Sequence, residues 1–282
     1  MQNTEKKLLV TGWNNDTKRA DESCYDLFAS ESLLSYIFCI GYNKIPGEYA
    51  FSLDASITRF CGKTLYSWTG GAFEYLMTSL FVPFIKGSIP YRSALTHARA
   101  QTKFSHPFWV ISESQYNAFD DSGNRKYKAF GIDKTAYKSA IGSSRTPYAS
   151  ALCIEFIRDE VVKNLERAQT MGMRGRYGMY EAYDGEVIRT YMAHHQGMIM
   201  LALYNLLDEN SHKTAFSLSP EIESALLYLQ PQNTTVVNKN RREHKLKIKD
   251  VVVAKSETVY GKNVLVSGKY ALGYSDNGES EA

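Results

Sequence analysis

YDLFASESLLSYIFCIGY, residues 25–42, is the stretch on which the fold turns. Leu27, Phe28, Leu34, Ile37 and Phe38 recur at helical spacing, so a helix is expected from near Ser23 to Gly41, ahead of Pro46. Its apolar end, LLSYIFCIGY, is shorter than the roughly 18 residues a membrane span needs, and reads as a buried helix.

Working outward, helical patterns cover 71–85 (GAFEYLMTSLFVPFI), about 90–104, 146–170, 188–208 and 219–229. The run HPFWVISE (106–113) suits a loop or a strand-like link, and 114–145 reads as a long loop with a functional reason to exist. Upstream, KLLVTGW suggests a short strand before a polar stretch. After Pro231 the chain turns basic, then β-branched with glycine turns, which predicts a linker followed by strands. The organisation expected is an extension over 1–23, a mainly helical domain over 24–230, and a linker with the first strands of a β-module over 231–282.

Composition narrows the function. The chain has 282 residues, a net charge of +3 and no basic stripe interleaved with aromatics, which argues against nucleic acid as a partner. Arg241, Arg242, Lys245, Lys247 and Lys249 read as a solvated linker. Cys24, Cys39, Cys61 and Cys153 form no CxxC pair, and MQNTEKKLLV has no apolar core after its charges. Reduced thiols, no leader, no membrane segment and a cytoplasmic location are therefore expected. The 20 Tyr, 13 Phe and 3 Trp serve equally to fill a core or to stack on sugar rings.

Four segments set acids beside aromatics: YDLFASE (25–31), SWTGGAFEY (67–75), ISESQYN (111–117) and GRYGMYEAYD (175–184). RTYMAHHQGM (189–198) adds two histidines. Glycosidic cleavage needs one carboxylic acid to protonate the leaving oxygen and a second carboxylate to attack carbon or activate water. This inventory supplies both. His194 and His195, being adjacent, are expected on different helix faces, with no metal spacing. DDSG (120–123) lacks the frame of a cation loop, and the glycines of GMRGRYG are expected to allow tight loop geometry rather than cradle phosphate.

The phrases YDLFASESLLSYI, LYSWTGGAFEYLM, WVISESQYNAFD, GRYGMYEAYD and VIRTYMAHHQGM, in this order, resemble the glucoamylase-like domain of cyclic β-1,2-glucan synthases, which is similar to bacterial endo-β-1,2-glucanases. VSGKYALGYSDNGES looks like the first strands of the β-sandwich that follows it. The resemblance implies an (α/α)6 barrel, here a partial one, in a mainly α chain with a short β-rich end. The missing N-terminal part of the barrel is then an expected partner. β-1,2-glucan is implied as substrate, with a transglycosylase or hydrolase activity; the alternative is an inactive glucan-binding remnant. Glu31 is the expected general acid and Glu113 the nucleophile or base. Asp26 and Glu74 are substrate contacts that could each stand in for one of them. The other expected binding positions are Trp68, Tyr116, Asn117, Tyr180, Glu181, Arg189, His194, His195 and Gln196, with Glu181 either touching sugar or bracing Arg189. No metal and no cofactor are expected.

Overall fold

The structure is a computed structural model that describes residues 2–104, 106–142 and 144–230, together with backbone strand segments between 235 and 281. Eight helices carry the body: α1 (Leu33–Gly41), α2 (Ala72–Leu76), α3 (Ile89–Gln101), α4 (Pro147–Leu152), α5 (Arg158–Thr170), α6 (Ala193–Leu207), α7 (Ser211–Ser217) and α8 (Pro220–Leu229). Helix α1 packs along α8, and α4 lies between α2 and α6. Short antiparallel pairs fill the connections, among them Ser114–Phe119 with Arg125–Lys128 and Ala182–Tyr183 with Val187–Ile188.

Several expectations need correction. First, α1 begins at Leu33, about ten residues after the expected start. Residues 24–28 are extended instead: Cys24 and Tyr25 pair with Leu9 and Val10, and Leu27 bridges Asp54. Ser30 Oγ then accepts the Ser32 N–H in a local turn, the competition with helix that makes serine a boundary residue. Second, the 71–85 helix is only α2 and a 3₁₀ turn, Met77–Leu80, and it ends before Pro83. Third, the 114–145 stretch holds a β-hairpin. Asp120 Oδ1 accepts the N–H groups of Ser122 and Asn124 (2.9 and 2.8 Å), closing the tip around Gly123, whose φ is +79°. The expectations over 90–104 and 219–229 match α3 and α8 closely; the one over 188–208 begins instead with the strand Val187–Ile188 and becomes helical only at Ala193, and the one over 146–170 is broken at 153–157 into α4 and α5.

One apolar cluster runs through the body. Tyr36, Ile37, Leu76, Val82, Ala94, Val161 and Leu229 are almost wholly buried within it. Each buried aliphatic side chain of this size is worth about 1.5–3 kcal/mol. Tyr36 also fastens the N-terminal strands: its hydroxyl donates to the Tyr25 carbonyl (2.8 Å) and accepts from the Leu9 N–H (3.0 Å). Among the described residues, no helix is long and apolar enough to cross a membrane. Beyond Pro231 the described segments are strands; a hairpin of Thr235–Asn240 and Glu243–Lys247 pairs with Ser56–Thr58. The five basic residues read as a linker fall partly in these strands and partly outside the described residues. The expected domain boundaries rest on sequence alone.

Candidate active site

The site is built on a chain of four side chains. Glu181, in the turn before Ala182–Tyr183, is buried, and both its oxygens lie against His195 Nδ1 at 3.0 and 2.9 Å. The Gln115 N–H adds a third bond at 3.2 Å. His195 Nε2 faces the Tyr127 hydroxyl at 3.5 Å, and that hydroxyl donates a short hydrogen bond to Glu113 Oε1. Tyr148 holds the centre. Its ring stacks on His195 with centroids 3.6 Å apart and planes 12° apart, and its hydroxyl donates to the Glu113 carbonyl (3.1 Å) and accepts from the Ser112 hydroxyl (3.0 Å). Glu113 thus has its backbone and its carboxylate fixed by two different tyrosines.

Glu181 therefore braces His195, and its link is not to Arg189. The two histidines also correct the expectation of divergent faces: their rings lie 4.0 Å apart. Both sit in the first turn of α6, where side chains lean toward the helix N-terminus and project past its end together. Nitrogens of His194 and His195 and a Glu113 oxygen all come within 4.8 Å of one another. That is an arrangement of metal-ligand type which the sequence spacing does not suggest. One oxygen of the Glu113 carboxylate, Oε1, is engaged by the Tyr127 hydroxyl.

Electrostatics set Glu113 apart. Burial raises its pKa; the Tyr127 hydrogen bond opposes this, and the nearby Glu31 charge pushes it up again. Glu31 stands in the turn ahead of α1, partly buried, and accepts from Ser30 Oγ at 3.2 Å. Asp26, five residues earlier, is partly buried. Its pKa is raised by burial against hydrogen bonds from its own backbone N–H and the Trp68 indole, with Asp54 adding to the rise. Asp26 Oδ1 is buried with no hydrogen-bond partner among the described residues. Trp68 is 42% exposed, so it is not the core tryptophan that composition equally allows.

Several expected contacts are turned to structure. Glu74 accepts from Ser67 Oγ (2.9 Å), Thr69 N (3.0 Å), Thr69 Oγ1 (2.8 Å) and Gly71 N (2.9 Å), so it shapes the loop that presents Trp68. Gly131 lies beneath the same loop, where an added Cβ would meet the Thr69 carbonyl at 1.9 Å. Tyr116 packs edge-on to Phe130 (5.5 Å) against a small apolar cluster with Ile111 and Ile132. Asn117 accepts from Arg125 (2.8 Å) along the hairpin. Tyr180 rests on Tyr191 at 5.1 Å, with the exposed Arg189 guanidinium 5.9 Å above its ring. Gln196 donates to the Met179 carbonyl (2.9 Å). Gly175 stands against Tyr180 and Tyr191 with no room for a Cβ, the tight loop expected there. Tyr127 and Tyr148, central here, are absent from the sequence-based set.

Comparisons with known proteins agree on a lineage. A family model described as "Putative glucoamylase" matches residues 27–214. The cyclic β-(1,2)-glucan synthase NdvB of Rhizobium meliloti is 32% identical over 247 residues; the match takes in 80% of this chain and 9% of that much longer protein. The fold is similar to the endo-β-1,2-glucanase of Chitinophaga pinensis, solved with sophorotriose and glucose, at TM-score 0.63 and 16% identity over 79% of this chain and 59% of that one. It is likewise similar to the β-1,2-glucanase of Parabacteroides distasonis, at TM-score 0.59 and 13% identity over 79% of this chain and 37% of that one. The chain thus spans only part of the length of the proteins it matches.

Proposed function

The chain belongs to the glucoamylase-like family, and from that membership we propose that it processes β-1,2-linked glucan by two-carboxylate chemistry. Glu113 is the nucleophile and Glu31 the general acid. One observation carries the assignment: Glu113 alone among the expected acids has its backbone and its carboxylate fixed by two tyrosines, and the Tyr127 donor favours its charged, nucleophilic form against the burial that opposes it. Glu74 is spoken for by its loop, and Glu181 by His195.

In this reading a Glu113 oxygen bonds to the anomeric carbon as the C1–O bond to the next sugar breaks. The electron pair of that bond goes to the leaving oxygen, which takes the Glu31 proton, directly or through a sugar hydroxyl. A water or sugar hydroxyl then attacks C1, gives its proton back to Glu31 and frees Glu113 as a carboxylate. Two displacements retain the β configuration, as the likeness to a synthase suggests. Carboxylates about 5–5.5 Å apart suit this route, and about 6.5–9.5 Å would suit an inverting water. Trp68, exposed and tethered to Asp26, offers a sugar-stacking face.

A second reading, a glucan-binding remnant, has its own support. Helix α6 is apolar nearly all round, yet Met200, Tyr204 and Leu207 are 71%, 50% and 81% exposed along one face. A helix of that pattern belongs inside a larger body. It fits a partial (α/α)6 ring whose remaining helices come from sequence outside these residues. Incubation with linear β-1,2-glucan and mass analysis of products separates the two: shortened or rearranged glucans support the enzyme, and bound but intact glucan supports the remnant.

A further inference from the structure

We propose that Tyr127 is a positioning residue with two acceptors, its hydroxyl proton directed at Glu113 while that side chain is a carboxylate and at His195 Nε2 once it is neutral. The proposal rests on Glu113 being the nucleophile, and it adds the device that serves both of its states.

The geometry leads to it directly. His195 turns Nδ1 toward the buried Glu181, so a proton on Nδ1 is held there and Nε2 is left as an acceptor. Stacking on Tyr148 fixes the plane of the ring and the Nδ1 bond to Glu181 fixes which edge it presents, so Nε2 stays directed at Tyr127. The Tyr127 oxygen stands between Nε2, at 3.5 Å, and Glu113 Oε1, to which it donates. A phenol has one proton to give, and rotation about its C–O bond is enough to choose between the two. The neighbouring groups are Glu113 and Glu181 (both acids), His194 and His195; burial and the Glu113 charge push the phenol far above its ordinary pKa, so it remains a donor.

No proton leaves the phenol at any stage. When Glu113 forms its bond to the anomeric carbon, its oxygens lose their charge and accept weakly, and His195 Nε2 becomes the better acceptor. When the incoming hydroxyl oxygen takes C1 and its proton passes to Glu31, Glu113 regains its charge and the phenol turns back. Without Nε2 the donor would be stranded in one of the two states. The buried Glu181–His195 pair is thereby given a function: it holds a bare acceptor in place.

The test uses the whole chain and does not depend on turnover. Glutamate carboxyls are labelled with 13C, and Glu113 is assigned by its absence in Glu113→Gln. In Tyr127→Phe, which alters a partly exposed side chain by one oxygen, Glu113 should titrate at higher pH than in the wild type. In Glu113→Gln, whose neutral amide stands in for the ester, the His195 Nε2 15N signal should move upfield. That movement should vanish in the Glu113→Gln, Tyr127→Phe double variant. An unchanged Glu113 titration, or a His195 signal indifferent to Tyr127, would overturn the proposal. If turnover is present, Tyr127→Phe should lower kcat on the order of tenfold, one hydrogen bond's worth, with KM little changed. Full turnover in Glu113→Gln would instead refute the nucleophile assignment and leave the NMR result standing on its own.

Discussion

The imidazole of His195 lies face to face with the phenol ring of Tyr148, 3.6 Å away, while its Nδ1 bonds a carboxylate that solvent does not reach. An aromatic lid and a buried acid leave one atom of this histidine, Nε2, directed at the hairpin that carries Tyr127.

That arrangement makes His195 costly to remove. His195→Ala would leave the Glu181 carboxylate buried with the Gln115 N–H as its remaining described partner. Breaking a buried pair from one side costs about 3–5 kcal/mol. Urea unfolding should show a loss of that order, whereas His194→Ala, at an exposed position, should cost less than about 1 kcal/mol.

Gly131 links fold to site. A Cβ there would sit 1.9 Å from the Thr69 carbonyl and 2.4 Å from the Gly70 carbonyl carbon, both backbone atoms that cannot swing aside. Gly131→Ala should therefore push the 67–71 loop outward, costing about 1–3 kcal/mol as overpacking does. The change should show in Trp68 fluorescence and in weakened glucan binding. Unaltered emission and binding would mean the loop is not held from below.

Acid should loosen the body through His97. This histidine is fully buried, stacked on Tyr75 at 3.8 Å and bonded by Gln101, and burial lowers its pKa from 6.5 to about 3. The unfolded chain takes up this proton first. The stability that a neutral His97 contributes is therefore complete above pH 6.5 and is lost progressively as pH falls from 6.5 toward 3. Denaturant midpoints across that range should fall more steeply for the wild type than for His97→Gln. Parallel curves would contradict the assignment.

The sequence carried the family and two of the helices well, because five ordered motifs are hard to mimic and α3 and α8 open on a serine cap followed by proline with sustained periodicity, whereas α6, capped by Met192, starts without such a mark. It carried the site less well. Tyr127 lies in RKYK, which follows the turn DDSGN and pairs Gln115 with Tyr127 across the hairpin. The alternation on either side of that turn was the available signal, hidden by the polarity of the stretch. Tyr148 sits in a short helix whose only local mark is Pro147. Its partner His195 is distant in sequence, so spacing could not join them. Periodicity also misled at 24–32, where apolar residues at helical intervals are spent on a strand and a bridge to Asp54. Glu74 looked like a sugar contact because an acid beside a tryptophan reads that way; in space it is the clasp of the tryptophan's own loop.

The central claim is that Glu113 attacks a β-1,2-linked sugar from within this network. Proton NMR of fresh cleavage of a β-1,2-linked oligosaccharide, run on the wild type and on Glu113→Gln, tests it most directly. The account predicts that the wild type releases the β-anomer first, with the α-anomer growing in only as mutarotation proceeds, and that the Gln variant releases neither. An α-anomer appearing first, or equal release by the Gln variant, would contradict it.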